Sequence, residues 1–401
     1  MRSSITYRKD INKKKIGLFD IIMLIAVIVN VAINDNLRLL IISQVLFFMV
    51  AMYVILSARS ISRDNFNIII RTVLFFVWGY LSSLWAINQT AVMEYTISNG
   101  QVLMLTIALV AYISNNTKLK RFLIAFIISA LILAIRLLST TSLSEIYQVG
   151  YHLGTAFGYD RVHIGMISSY ASLFLIYFAD NYKKKILYPV SLFLIFISFA
   201  SGSRKGLVII LAGIVFYFLL SRRVPQKRIK IILRILIAIL IAYYLINSIP
   251  FLYHAIGRRI VGFVSFLSNG SGDSSAATRS ILLREAINVA FEHPILGVGL
   301  YNFKYVSSQN LCAHNNYLEL ICSTGLVSLL IFYYYPLKSL LRGIQRQKVN
   351  NSKLSSLVVS VLICWFICDI VVVSFAMEYV QMLVTVLMIS ICHLSLTDNV
   401  K

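Results

Sequence analysis

Acidic residues are scarce in this chain: 15 Asp and Glu stand against 37 Lys and Arg in 401 residues, and charged side chains make up only 13%. So few charges exclude a soluble enzyme, and a 59% hydrophobic share excludes a disordered tail. Cysteine is sparse too. Cys312, Cys322, Cys364, Cys368 and Cys392 show neither zinc-ligand spacing nor a disulfide framework, and they read as small hydrophobes. There is no Asp-x-Asp pair and no acidic cluster of the kind a divalent ion requires, so neither metal nor cofactor is expected. Internal repeats and low-complexity stretches are also absent.

What the sequence does have is apolar length, with a mean hydropathy of +0.82. Apolar runs fall at 17–34, 38–57, 71–87, 97–114, 121–139, 163–180, 186–201, 205–221, 229–248, 314–335, 354–374 and 377–396. A spanning helix takes ~20 such residues, so the reading is an all-α, polytopic membrane protein with about twelve transmembrane helices. The net charge of +22 then records topology rather than a nucleic-acid partner. Lys and Arg collect before the first run, around Arg59, Arg63 and Arg71, at Lys118 to Arg121, at Lys183 to Lys185, at Arg222 to Arg234, and at Lys338 to Lys353. By the positive-inside rule these alternate segments are cytoplasmic, as are both termini. No small-residue cleavage site follows the first run, which is expected to stay as a helix. The chain thus divides into nine N-terminal helices (1–248), a large extracytoplasmic loop between helices 9 and 10 (249–313), and three C-terminal helices (314–401).

Within that loop the Ser268 to Ser275 stretch reads as flexible. Helical spacing follows over 276–291, with Ile281, Leu282, Ala286, Val289 and Ala290 apolar. His293-Pro294 ends the helix, and Gly297-Val298-Gly299 turns the chain back.

Charges at membrane level are the informative ones, because they are costly there unless paired or functional. Arg204 and Lys205 occupy a very short outer turn, Ser201 to Gly206, at the start of a helix that Ser201 or Ser203 can cap. The free N–H groups of that helix end and a guanidinium together make an anion site. His314, followed by Asn315 and Asn316, stands at a second outer helix start. The dipole there favours the neutral imidazole that can take a proton from a hydroxyl. Arg279, with Arg284 further along, opens the outer helix, and guanidinium pairs with phosphate in a bidentate fork. Arg161 and His163 enter the sixth run and supply another cation and imidazole. Arg136 lies within the fifth run and must face protein or water. Each position also has a plainer reading, as a snorkelling cation, a helix cap or a solvated face. Outside the cytoplasm there is no nucleotide-sugar pool, so an enzyme in this position needs a substrate that is already activated. A lipid-linked pyrophosphate meets that need, with clustered guanidinium groups and helix starts stabilising the leaving group.

Three motifs over about 190–335 then carry a resemblance: Ser201-Gly202-Ser203-Arg204-Lys205-Gly206; Arg279 through His293-Pro294-Ile295-Leu296-Gly297-Val298-Gly299; and Ala313-His314-Asn315-Asn316-Tyr317-Leu318-Glu319 with Thr324-Gly325-Leu326. In order and spacing the chain resembles the O-antigen ligase and O-antigen/capsule polymerase family of twelve-helix membrane glycosyltransferases. It departs at Lys205, where that family usually has glycine.

The resemblance implies a bacterial inner-membrane enzyme that works without metal at the extracytoplasmic face. Arg204, Arg279 and His314 would be its catalytic residues, with Lys205, Arg161, Arg284 and Asn315 binding substrate. The implied partners are an undecaprenyl-pyrophosphate-linked glycan donor, a glycan acceptor, the lipid bilayer and an optional chain-length regulator. Polymerisation of repeat units is the leading expectation. Ligation of finished polymer to a lipid core is the runner-up, and a transporter for the same lipid-linked oligosaccharide is the rival of another class.

Overall fold

A computed structural model describes residues 16–33, 37–56, 61–141, 153–154, 160–221, 274–350 and 352–394, together with scattered positions between 229 and 257. Among the described residues the chain is helical throughout, without strands. The first eight helices are α1 (Leu18–Ala32), α2 (Leu37–Leu56), α3 (Arg63–Leu81), α4 (Gln89–Tyr112), α5 (Asn116–Thr140), α6 (Arg161–Tyr182), α7 (Leu187–Ala200) and α8 (Arg204–Ser221). After them come α9 (Ser274–Glu292), the single turn α10 (Phe303–Val306), α11 (Asn316–Asn350), α12 (Lys353–Cys368) and α13 (Glu378–Leu394). Among the described residues, six helices are long and apolar enough to cross a membrane, and five shorter apolar ones accompany them. The protein is a membrane protein. The count of twelve remains an expectation, because 229–248 is described only at scattered positions. The Ser268 to Ser275 stretch and the preceding part of the outer loop, 249–267, fall largely outside the described residues.

Helix starts are set locally, where small polar side chains accept from orphan backbone N–H groups. Ser62 accepts from Asn65, Asn88 from Ala91, Asn115 from Lys118 and Asp160 from Val162. Most helix starts lie within a few residues of the apolar runs; those of α3 and α4 do not, and α11 continues to Asn350, well past the run that ends at 335. Helix α3 begins at Arg63 rather than at 71, because Ser62 caps it there. Arg71 is therefore not a cytoplasmic flank: it lies about 12 Å along the helix and is buried. Its Nε donates to the Phe332 carbonyl at 2.9 Å, and its guanidinium sits 4.5 Å from the Phe332 ring centroid. The Lys and Arg bias survives the loss of one member.

Helix α6 is the centre of the bundle, with 94% of its apolar window enclosed. Small residues let α7 and α8 approach it: the Ser169 hydroxyl donates to the Gly165 carbonyl and lies 2.8 Å from Ser198 Oγ. By contrast α2 and α3 expose Ile41, Val45, Met49, Phe66, Leu74 and Val77, a surface suited to lipid. Arg136 on α5 donates to the Ala32 carbonyl at 2.9 Å, so this intrahelical cation helps close the end of α1.

Candidate functional site

The site is built where the starts of α8 and α11 meet the inner face of α9. The turn before α8 places Gly202 at φ +72, and Ser203 accepts from the Gly206 N–H at 3.3 Å. Ser203 is therefore the cap, while Ser201 turns back to donate to the Ser198 carbonyl. The closest packing falls at Gly206, where an added Cβ would lie 2.8 Å from the Gly165 carbonyl oxygen. Lys205 takes no part in that contact and is free to carry a long side chain.

Helix α9 lies on α11 through a small apolar cluster of Leu282, Ala286, Phe303, Ala313 and Cys322. Arg279 precedes Leu282 by three residues and Ala286 by seven, so it stands on the packed stripe. Ile281 is exposed although the apolar spacing includes it, and Arg284 points outward.

The segment after α9 docks into a break in α11. At Thr324 and Gly325 the backbone leaves helical geometry, with Gly325 at φ +77. The carbonyls released there find partners: Cys322 accepts from Val298 N–H at 2.8 Å, Ser323 from Gly299 N–H at 2.7 Å, and Thr324 from Trp78 Nε1 at 2.9 Å. A Cβ on Gly325 would come within 1.7 Å of the Ile295 carbonyl oxygen, so only glycine fits. The second and third motifs of the sequence are thus two halves of one joint.

His314 sits just before α11 in left-handed backbone, φ +53. Ala313 donates its N–H to Glu319 Oε2 at 2.7 Å, and Asn315 Oδ1 caps the helix by accepting from Leu318 N–H at 3.1 Å. The imidazole is partly buried with Nδ1 3.8 Å from Cys312 Sγ. Burial first, then the positive charges of Lys205 and Arg279, hold its pKa below the usual histidine value. Burial and the neighbouring Glu319 push the Cys312 thiol up, so it stays protonated. Tyr301, stacked on Tyr95 with ring centroids 3.7 Å apart, and Lys304, 5.4 Å from the Tyr301 ring, form the adjoining wall.

The structure therefore brings Lys205, Arg279 and His314 into one electrostatic neighbourhood. Arg204 is exposed one position earlier on α8, rotated by about 100° of helical turn. Arg161 and Arg284 are exposed, and the Asn315 side-chain oxygen is engaged in capping. His163 is buried in T-shaped contact with Tyr379, their ring centroids 4.3 Å apart. Cys312, Tyr301, Tyr95, Lys304 and Glu319 were not singled out by sequence. Their one available signal was position: all but Tyr95 lie in or beside the motifs.

Residues 189–333 match the model of a family described as O-Antigen ligase. This segment belongs to the O-antigen ligase-like family. The family's members are membrane glycosyltransferase-like enzymes. The O-antigen ligase-like segment contains Lys205, Arg279, Cys312, His314 and the Gly325 break, whereas Trp78 and Tyr95 reach the site from outside it. A comparison of the whole chain with curated proteins finds no match.

Proposed function

We propose that the protein polymerises lipid-pyrophosphate-linked oligosaccharide repeat units into a surface polysaccharide at the extracytoplasmic face of the bacterial inner membrane. The observation that carries this is the convergence of Lys205 and Arg279 on a histidine whose protonation they disfavour. In the proposed reaction His314 takes the proton of an acceptor hydroxyl as its oxygen bonds to the anomeric carbon of the donor. The bond from that carbon to the pyrophosphate oxygen breaks in the same step. Arg279 and Lys205 stabilise the charge on the departing lipid pyrophosphate, with Arg204 meeting it from the exposed side of the α8 start. The cations do the work of a divalent ion, so turnover in a chelator should match turnover without one.

The matched family's description favours a second reading, transfer of a finished polymer to a lipid core, which uses the same residues and differs in acceptor. Nothing in the fold or the family match supports a transporter. The test is a gel of surface polysaccharide from a deletion strain complemented with Arg279→Ala, Lys205→Ala, Arg204→Ala or His314→Ala. Single repeats on the acceptor mark a polymerase, and long chains stranded on carrier lipid mark a ligase. Wild-type ladders from all four variants would overturn the enzymatic reading.

A further inference from the structure

Two residues beyond His314 in the chain, at Asn316, begins a polar cluster in the apolar bundle that the proposed reaction does not use. Asn316 is fully buried, and its amide is saturated. Its Nδ2 donates to the Tyr333 hydroxyl at 2.7 Å and to Asp369 Oδ2 at 3.2 Å. Its Oδ1 accepts from the N–H groups of Ser374 at 2.8 Å and Phe375 at 3.1 Å. The Asn316 backbone N–H donates to the Asp369 carbonyl at 2.8 Å, and the Tyr333 hydroxyl donates to Asp369 Oδ2 at 2.5 Å. The Tyr333 ring is stacked on Tyr317 with centroids 4.6 Å apart and lies 5.5 Å from Trp365. Arg71, bound through Phe332 next to Tyr333, brings the only guanidinium among these groups within electrostatic reach of Asp369.

A polar network inside an apolar bundle is expensive to bury, and although Asp369 Oδ1 is left without a hydrogen-bond partner among the described residues, the four bonds of the Asn316 amide favour one arrangement of its neighbours. Its effect falls on the backbone two residues from the imidazole. His314 holds a left-handed conformation, φ +53, that is unfavourable for a residue other than glycine. It is held between two anchors, Ala313 on Glu319 and Asn316 on Asp369. None of the network side chains bonds to the imidazole itself, so their influence on it passes through the chain.

We infer that Asn316, Asp369 and Tyr333 are positioning residues, a latch that fixes the start of α11 to the α12–α13 turn and thereby aims His314 into the site. The inference rests on the proposed role of His314 for its catalytic consequence but not for its geometry. Asn316→Asp sets two buried carboxylates against each other and opens the latch, as does Asp369→Asn, which leaves two amides facing. The double exchange, Asn316→Asp with Asp369→Asn, restores one donor opposite one acceptor.

The measurement is carbethoxylation of the purified full-length protein by diethyl pyrocarbonate, followed histidine by histidine by peptide mass spectrometry, with exposed His293 as the internal reference. Each single variant should raise the His314 rate by roughly 5- to 10-fold, as local opening becomes populated, and the double exchange should return it toward wild type. In the glycan assay with the host's own lipid-linked repeat unit, kcat should fall with KM little changed. Should a single variant fail to fold, Tyr333→Phe, which removes only the hydroxyl, carries the same expectation at smaller size. Unchanged His314 labelling in folded variants, or a double exchange as open as the worse single, overturns the latch and leaves the glycosyltransferase reading intact. Increased labelling with normal polysaccharide supports the latch and defeats the catalytic role of His314 instead.

Discussion

At the scale of single residues, the chemistry turns on which protonation state His314 keeps. Its pKa is depressed by burial and by two cations, so the neutral form persists below the ordinary value of ~6.5. Activity that needs the neutral imidazole should therefore hold through neutrality and fall only as acid protonates the ring. Replacing a neighbouring cation, as in Lys205→Met, removes a repulsion on the imidazolium, so the acid limb of the pH profile should move upward. A limb that stays in place in this variant would separate Lys205 from His314. The same scale shows a limit of sequence reading. Arg204 and Lys205 are consecutive and equally cationic, and only the packing of Gly206 on Gly165 determines that the lysine, not the arginine, turns toward Arg279 and His314.

Among the elements, the break in α11 holds the site together. It accepts the chain after α9 and ties Trp78 of α3 to the same carbonyls. Gly325→Ala should cost well over the roughly 1–2 kcal/mol of left-handed backbone alone, since the new Cβ also collides with a carbonyl. A large fall in detergent Tm checks this, and an unchanged Tm would mean the joint is looser than its hydrogen bonds imply. Trp78→Phe removes one donor and should lower stability by about 1 kcal/mol. The register of α9 leads to a separate expectation. Arg279 shares the packed stripe with Leu282 and Ala286 while Arg284 faces outward, so Arg279→Ala should shorten the polysaccharide ladder far more than Arg284→Ala.

Across the whole molecule, charges sort to two ends. Asp20 pairs with Arg121 at 2.6 Å, Asp64 with Arg342 at 3.0 Å and Asp180 with Lys353 at 2.9 Å, all at the end reached by the starts of α1, α3, α5 and α12. The starts of α6, α8 and α11 lie at the other end, where Lys205 and Arg279 both act on His314. This is the polarity the positive-inside rule expects if the paired end is cytoplasmic. In a Cys312→Ser background, an impermeant maleimide should label Arg284→Cys in intact spheroplasts and Lys348→Cys only after permeabilisation. The reverse pattern would put the site on the cytoplasmic face.

Much was determined by sequence alone, because it rests on local or additive physics. Apolar runs must bury their backbone polar groups as helices, and Ser, Asn and Asp mark helix starts through hydrogen bonds a few residues long. The His293-Pro294 stop, the Gly297-Val298-Gly299 turn and the three motifs were legible for the same reason. Tertiary structure alone decided that Arg71 is an interior cation, that Arg136 serves the end of α1, that Gly325 receives Ile295, and that Asn316 closes on Asp369. Each of these depends on a contact between residues far apart in the chain, where partner and facing direction follow from packing and leave no periodic trace in composition.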